Sequence, residues 1–494
     1  MEEKKYPLQF RGTNLFALFP LVLFAAGCVV FFVLWKAFDM ENLAMGGFVA
    51  LIVGSFFAKN MSEYWKAVVK GMSSEMAGTL ALILLVVGIF TKLMARGGVA
   101  EGFVYLGRTM GLTGSFFVAF TFLAVCVIAT ATGTSIGTLF SCFPIFYPSG
   151  ILLGGNPVLL AGAILSGAVF GDNLGPISDT TIASAATQEF ITKKGSADIG
   201  GVVASRFRYA IVAAIAALVL YLVFGGTGNA SVAGEDVLSQ YSNAKGLLML
   251  IPVIVLLAVA IIKRDIFISI SCGIFVGIIV GLSFGIIVPA DILSNSDGAL
   301  EGFLIDGIKS MLGTIGYLYA VFGIMGVLQE SGTLDRIITG LVNSKLAGSI
   351  IGTELIIGFG TMISSVFLGA ANGPAIIMYG PIANNIGRAK GLHPYRRANL
   401  MDGFASTLPV ILPFTSAFIF IVVACVQGLM AEYTFIESLS PFAIAGATFH
   451  CWLLFIVLMI SVVTGWGRSY ESKNSKRTKD SSQAVKPDAV QADI

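Results

Sequence analysis

The sequence predicts an all-α polytopic membrane protein made of two inverted-topology repeats, with broken helices or re-entrant hairpins and about 12–14 membrane segments of ~20 residues. Three observations predict it. Hydrophobic residues make up 56% of the chain and charged residues only 12%, where soluble domains carry about a quarter charged. Apolar residues come in blocks, at 16–35, 80–90, 211–224, 247–262, 350–367 and 452–463. Lipid offers no partner to a bare peptide group, so such blocks cross as helices. Third, landmarks recur in one order in both halves, over nearly the whole chain.

A cytoplasmic N-terminus, 1–13, leads into the first repeat, 14–232. Ala25-Ala26-Gly27-Cys28 faintly resembles a cleavage site, but the apolar run continues to Trp35, which reads as a retained first span. The second repeat, 233–467, opens on Leu250-Ile251-Pro252 as the first opens on Leu18-Phe19-Pro20. Gly46 and Gly54 match Gly273 and Gly281 at equal spacing; Gly88 and Gly97 match Gly323 and Gly332. Pro144, Gly150 and Pro157 match Pro381, Gly387 and Pro394 at one offset, and Asp172 matches Asp402. A polar tail, 468–494, reads as disordered.

Charge orients the halves. Lys and Arg gather at 59–70, 193–208, 263–264, 388–397 and in the tail, whereas 39–41, 225–244, 291–306 and 432–437 are acidic or neutral. The positive-inside rule makes the first set cytoplasmic. An odd number of crossings per half then inverts the second half and leaves both termini inside a bacterial inner membrane. The mildly basic stretch 92–108 runs against this scheme, with Lys92 read as snorkelling from a span end or else facing inward.

Several classes fall away. A formal net charge of +2 suggests no nucleic-acid partner. No P-loop appears that would feed ATP to the machine. The six cysteines lie in apolar stretches, and two histidines, His393 and His450, make no zinc site; His393 reads as a solvated loop residue. An enzyme is not expected, since Val169-Phe170-Gly171-Asp172 lacks the first glycine of an intramembrane aspartyl protease. Sodium, protons, surrounding lipid and a second copy in a homodimer are the expected partners, with no cofactor. Corresponding broken helices in inverted repeats instead point to a secondary transporter.

The chemistry concentrates in Gly171-Asp172-Asn173-Leu174-Gly175-Pro176-Ile177-Ser178-Asp179-Thr180-Thr181. Gly175-Pro176 should open the helix, freeing carbonyls beside two carboxylates and the hydroxyls of Ser178, Thr180 and Thr181. Hard cations favour such oxygens. A carboxylate at membrane depth is costly, and either a proton or a sodium ion relieves the cost. Competition for one carboxylate is the simplest basis for antiport. Ser178 and Asp179 also read as caps of the restarting helix. Thr132, Thr134 and Ser135 in the first half, and Asn372 in the second, mark further interruptions expected to face Asp172. Sodium is expected at Asp172, Asp179, Thr180 and Thr134. The second half is poorer: Asp402 is followed by Ser406 and Thr407, and Pro409 stands where Asp179 would. Asp402 reads equally as an ion ligand or as a salt-bridge partner of Arg396 or Arg397.

Phe170-Gly171-Asp172 through Pro176-Ile177-Ser178-Asp179-Thr180-Thr181, with Ala131-Thr132-Gly133-Thr134-Ser135, resembles the signature of the NhaC family of sodium/proton antiporters, over roughly residues 15–465. The resemblance implies the inverted-repeat fold of the wider ion-transporter superfamily and sodium/proton exchange by alternating access. The alternative that it also allows is sodium- or proton-coupled exchange of a small organic acid or amino acid. Two residues depart from the family pattern: Gly175 stands where Ser is usual, and Asn173 where Lys is common.

Overall fold

The computed structural model describes residues 6–35, 40–226, 241–263, 265–296, 298–413 and 415–485; the expected repeat boundary at 232/233 lies outside them. The first half runs α1 (Phe19–Val29), α2 (Met40–Ser55), α3 (Met61–Met72), α4 (Glu75–Arg96), α5 (Val99–Met110), α6 (Gly114–Thr132), α7 (Ser135–Leu152), α8 (Pro157–Leu174), α9 (Asp179–Ala186) and α10 (Ile199–Phe224). The second runs α11 (Leu250–Lys263), α12 (Ile266–Ser283), α13 (Phe303–Lys309), α14 (Leu312–Glu330), α15 (Thr333–Val342), α16 (Ile350–Val366), α17 (Asn372–Ala389), α18 (Pro394–Ala405), α19 (Ala417–Met430), α20 (Pro441–Ala447) and α21 (Phe449–Thr464). Among the described residues, 8 helices are long and apolar enough to cross a membrane, or 9 counting the bent α20–α21 pair, with four shorter apolar helices beside them.

Local chemistry starts these helices. Asn156 accepts from the backbone of Val158 and Leu159 ahead of Pro157, Ser74 accepts from Ala77, and Asp198 from Gly201. Outer helices carry apolar stripes at helical spacing that remain exposed, such as Phe275, Ile279 and Leu282 on α12 and Ile456, Ile460 and Val463 on α21. These are lipid-facing surfaces. Inner helices are buried throughout, α7 at almost every position.

The halves interlock reciprocally. α3 and α2 of the first half pack on α14 of the second, and α13 and α12 of the second half pack on α4 of the first. Both crossings need glycine. A Cβ on Gly71 would lie 2.1 Å from the Phe322 carbonyl oxygen, and one on Gly88 2.2 Å from that of Gly307. Close approach of this kind is how membrane helices gain contact.

Charges sort to the two ends. At one end Tyr6 donates to Asp335, Lys70 pairs with Glu330 (2.7 Å) and Lys390 reaches the Gly348 carbonyl. At the other, Arg96 pairs with Asp306 (2.8 Å), and Lys92 with Glu432 (3.2 Å). This accounts for the discordant basic stretch 92–108: two of its cations are matched by acids from the very segments read as external. Lys92 is 1% exposed, so it is paired inside rather than snorkelling.

Two further expectations are corrected. The tail is ordered through residue 485. Tyr470–Glu471 pairs with Arg477–Thr478, and the buried Glu471 carboxylate accepts from the Ile191 and Thr192 backbone and the Thr192 hydroxyl (2.6–3.0 Å). Backbone donors at a loop reward an acid, which a polar composition alone does not reveal. His393 is likewise not solvated. It is 2% exposed, its Nδ1 accepts from Tyr395 N, and its ring meets Phe190 edge-on.

Candidate functional site

The chain breaks twice where the first half was expected to open. α6 ends at Gly133, whose left-handed backbone (φ +66°) lets α7 restart at Ser135 without continuing the helix. α8 ends at Leu174, and Pro176 delays the restart until Asp179. In the second half α16 ends at Val366, residues Gly369 and Ala370 turn with φ +66°, and α17 restarts at Asn372. These breaks meet around one cavity of about 140 Å³, lined by Thr134, Ser135, Asp172, Asp179, Thr180, Asn372 and Phe418 among others.

Asp172 is the centre of this cavity's chemistry. Ser135 donates to its Oδ2 (2.8 Å) and Ser178 to its Oδ1 (2.5 Å), while the Ser178 and Thr180 hydroxyls lie 3.0 Å apart. Ser178 occupies the N-cap position of α9 but makes no side-chain cap bond. Its hydroxyl donates to the Asp172 carboxylate instead. Asp179 is exposed to the cavity and also borders two larger ones. One, about 340 Å³, adds Thr132, Ser141 and Asp265; the other, about 540 Å³, adds Glu75 and Gln329.

Four helix N-termini converge here, those of α7, α9, α17 and α19. Their unpaired N–H groups and dipoles favour negative charge, which offsets the cost of holding the Asp172 carboxylate at this depth. Asn372 supports the turn it sits on, accepting from Ser365 (2.6 Å). Thr132 shares a bond with Thr138 (3.0 Å) and faces the neighbouring cavity.

Other expected residues form a second, buried cluster. Successive helical residues point about 100° apart. Asn173 and Thr181 therefore turn away from the cavity that Asp172 and Thr180 face. Asn173 Nδ2 and the Thr181 hydroxyl donate to Asp402 (3.3 and 3.4 Å), as does Ser406 (3.4 Å). Asp402 is fully buried and its ion-pair partner is Arg206. Neither Arg396 nor Arg397 fills that place: Arg396 pairs with Glu354 (2.7 Å), and Arg397 bonds Asn384. Thr407 donates to the Phe404 carbonyl (2.6 Å) and joins neither cluster.

Arg206 was missed because it was counted with the loop cations. The signal against that was present: Asp198-Ile199-Gly200-Gly201 is a helix start, which places Arg206 two turns inside α10. Among the described residues no three His, Cys, Asp or Glu side chains group as a metal site. Two carboxylates, Asp172 and Asp179, with hydroxyls of Thr134, Ser135 and Thr180 line the cavity, an oxygen set that suits a hard cation or a proton.

A helical, lipid-facing bundle with breaks from both halves around the half-buried Asp172 carboxylate defines a membrane transporter. Residues 12–226 match the sequence profile of the Na+/H+ antiporter family. An uncharacterized Na+/H+ antiporter of Haemophilus influenzae is 26% identical over 85% of this chain and 90% of its own. A malate-2H+/Na+-lactate antiporter of Bacillus subtilis is 27% identical over 64% and 69%, and an arginine/ornithine antiporter of Halobacterium salinarum 24% over 87% and 91%. Over these spans the chain is similar to the Na+/H+ antiporter family.

Proposed function

We propose that this protein exchanges sodium for protons across the membrane by alternating access, with Asp172 binding the two ions in turn. The observation that carries this reading is the Asp172 carboxylate, hydrogen-bonded by Ser135 and Ser178 and facing a cavity bounded by breaks from both halves. A sodium ion there would take oxygens from Asp172, Thr134, Thr180 and Asp179; a proton on Asp172 removes the charge that holds it. Inversion of the repeats is supported by equivalent helices at opposite ends: α5 lies with the acidic cluster around Arg96, and α15 with Tyr6 and Lys70. With the basic end inside, both termini are cytoplasmic. Glu75 and Asp265, beside loops read as cytoplasmic, then mark cavities that open inward.

A second reading is coupled exchange of a small organic acid or amino acid. Four converging N-termini form a favourable seat for a solute carboxylate, and two of the relatives are named for such solutes. Proteoliposomes separate the readings. Sodium alone should drive proton movement; proton movement that appears only when malate, lactate or arginine is added supports the second reading and overturns the first.

A further inference from the structure

Arg206 lies inside α10 and is 1% exposed, yet its guanidinium gathers three segments. Nη1 donates to the Asn173 carbonyl at the end of α8 (2.5 Å) and to the Thr181 hydroxyl in α9 (3.0 Å), and Nη2 to Ser184 (3.2 Å). These groups stand on both banks of the α8–α9 break. The same guanidinium pairs with Asp402 and bonds Asn399 (3.0 Å), both on α18 of the second half. A rigid planar fork can hold such an arrangement where a flexible ammonium cannot. Asp172 precedes Asn173 and Thr180 precedes Thr181, so this clamp sets how far Asp172 stands from Ser178 and Thr180.

We propose that Arg206, held by Asp402, is the positioning residue of the ion site: it fixes the width of the α8–α9 break and ties that width to the position of the second half. The inference rests on reading Asp172 as the ion-binding carboxylate. On this account Asp402 is the counter-charge of Arg206 and not an ion ligand. Movement of the second half against the first then reaches Asp172 through one guanidinium.

Arg206→Gln alone strands a buried carboxylate and invites misfolding, so the informative variant is the neutral pair R206Q/D402N. In proteoliposomes it is expected to keep its maximal sodium-driven proton flux within a few-fold while its half-saturating sodium concentration rises about tenfold or more, since small misplacements of a binding group are costly. Arg206→Lys should fall between the pair and the wild type. Amide hydrogen exchange over residues 171–184 needs no transported ion, and it should accelerate in the pair relative to α7 and α14. Unchanged sodium affinity with unchanged exchange overturns the proposal, as does exchange that rises equally everywhere. Faster exchange confined to 171–184, in a protein whose wild type moves no protons with sodium, supports the clamp and removes the antiport reading instead.

Discussion

At the scale of residues, function turns on which side of a helix a group occupies. Asp172 and Asn173 are neighbours in the chain and belong to different chemistries, one facing a cavity and the other the Arg206–Asp402 pair. Asp172→Asn is expected to lower sodium-driven proton flux by about a hundredfold or more while the protein still purifies as a folded species, because the charge that binds either ion is gone. Ser178→Ala removes a hydrogen bond to that charge, worth ~1.5–3 kcal/mol, and should raise the half-saturating sodium concentration by about tenfold with less effect on maximal rate. Steady-state flux against sodium concentration checks both. The sequence named Asp172, Ser178 and Thr180 because an acid and hydroxyls beside Gly-Pro in an apolar run have few other uses, and Ser135 from the Thr132-Gly133-Thr134-Ser135 interruption. It could not divide them from Asn173, Thr181 and Asp402. That division depends on helix phase on both sides of a break, and the break resets the phase.

At the scale of elements, close helix contacts and a strapped loop set the frame. Gly171 on α8 faces α6 so closely that an added Cβ would lie 2.2 Å from the Ala129 Cβ. Gly171→Val should therefore destabilise the protein by about 2 kcal/mol or more, read as a lower thermal midpoint in detergent. Behind α9, the loop through Ile191 and Thr192 is held by Glu471, with His393 buried beneath. Burial, with Arg477, Arg397 and Lys193 nearby, pushes the His393 imidazole down to about 3. A group held below its ordinary value near 6.5 binds fewer protons folded than unfolded, so its contribution is complete above about pH 6.5 and falls as pH drops toward 3. Limited proteolysis of the 468–485 segment should accordingly be faster at pH 4.5 than at pH 7.5, and His393→Phe should flatten that difference. The apolar blocks announced the spanning helices well. The tail escaped notice because its order comes from a partner loop nearly three hundred residues away in sequence.

At the scale of the whole molecule, spaced glycines, prolines and aspartates predict a repeated order of elements, and the loops predict charge sorted by end. The reciprocal packing of α3 on α14 and α13 on α4 was not legible, because short helices carry little apolar signal of their own. The ion pairs Lys92–Glu432 and Arg96–Asp306 bridge the halves at the end opposite Glu75 and Asp265. If the cavities at Glu75 and Asp265 open inward, these pairs close the other side and must part during each cycle. Joining positions 92 and 432 as cysteines, by oxidation or a short thiol cross-linker, should stop transport, and reduction should restore it. Transport that continues while cross-linked would show that this end does not open.

The central claim is that one carboxylate serves sodium and the proton in turn, and the dependence of sodium affinity on pH tests it most directly. In proteoliposomes, the half-saturating sodium concentration should rise about tenfold per unit fall in pH across the acidic limb, with the maximal rate unchanged, as competition at a single group requires. A half-saturating concentration that stays constant with pH while the maximal rate changes would contradict the account.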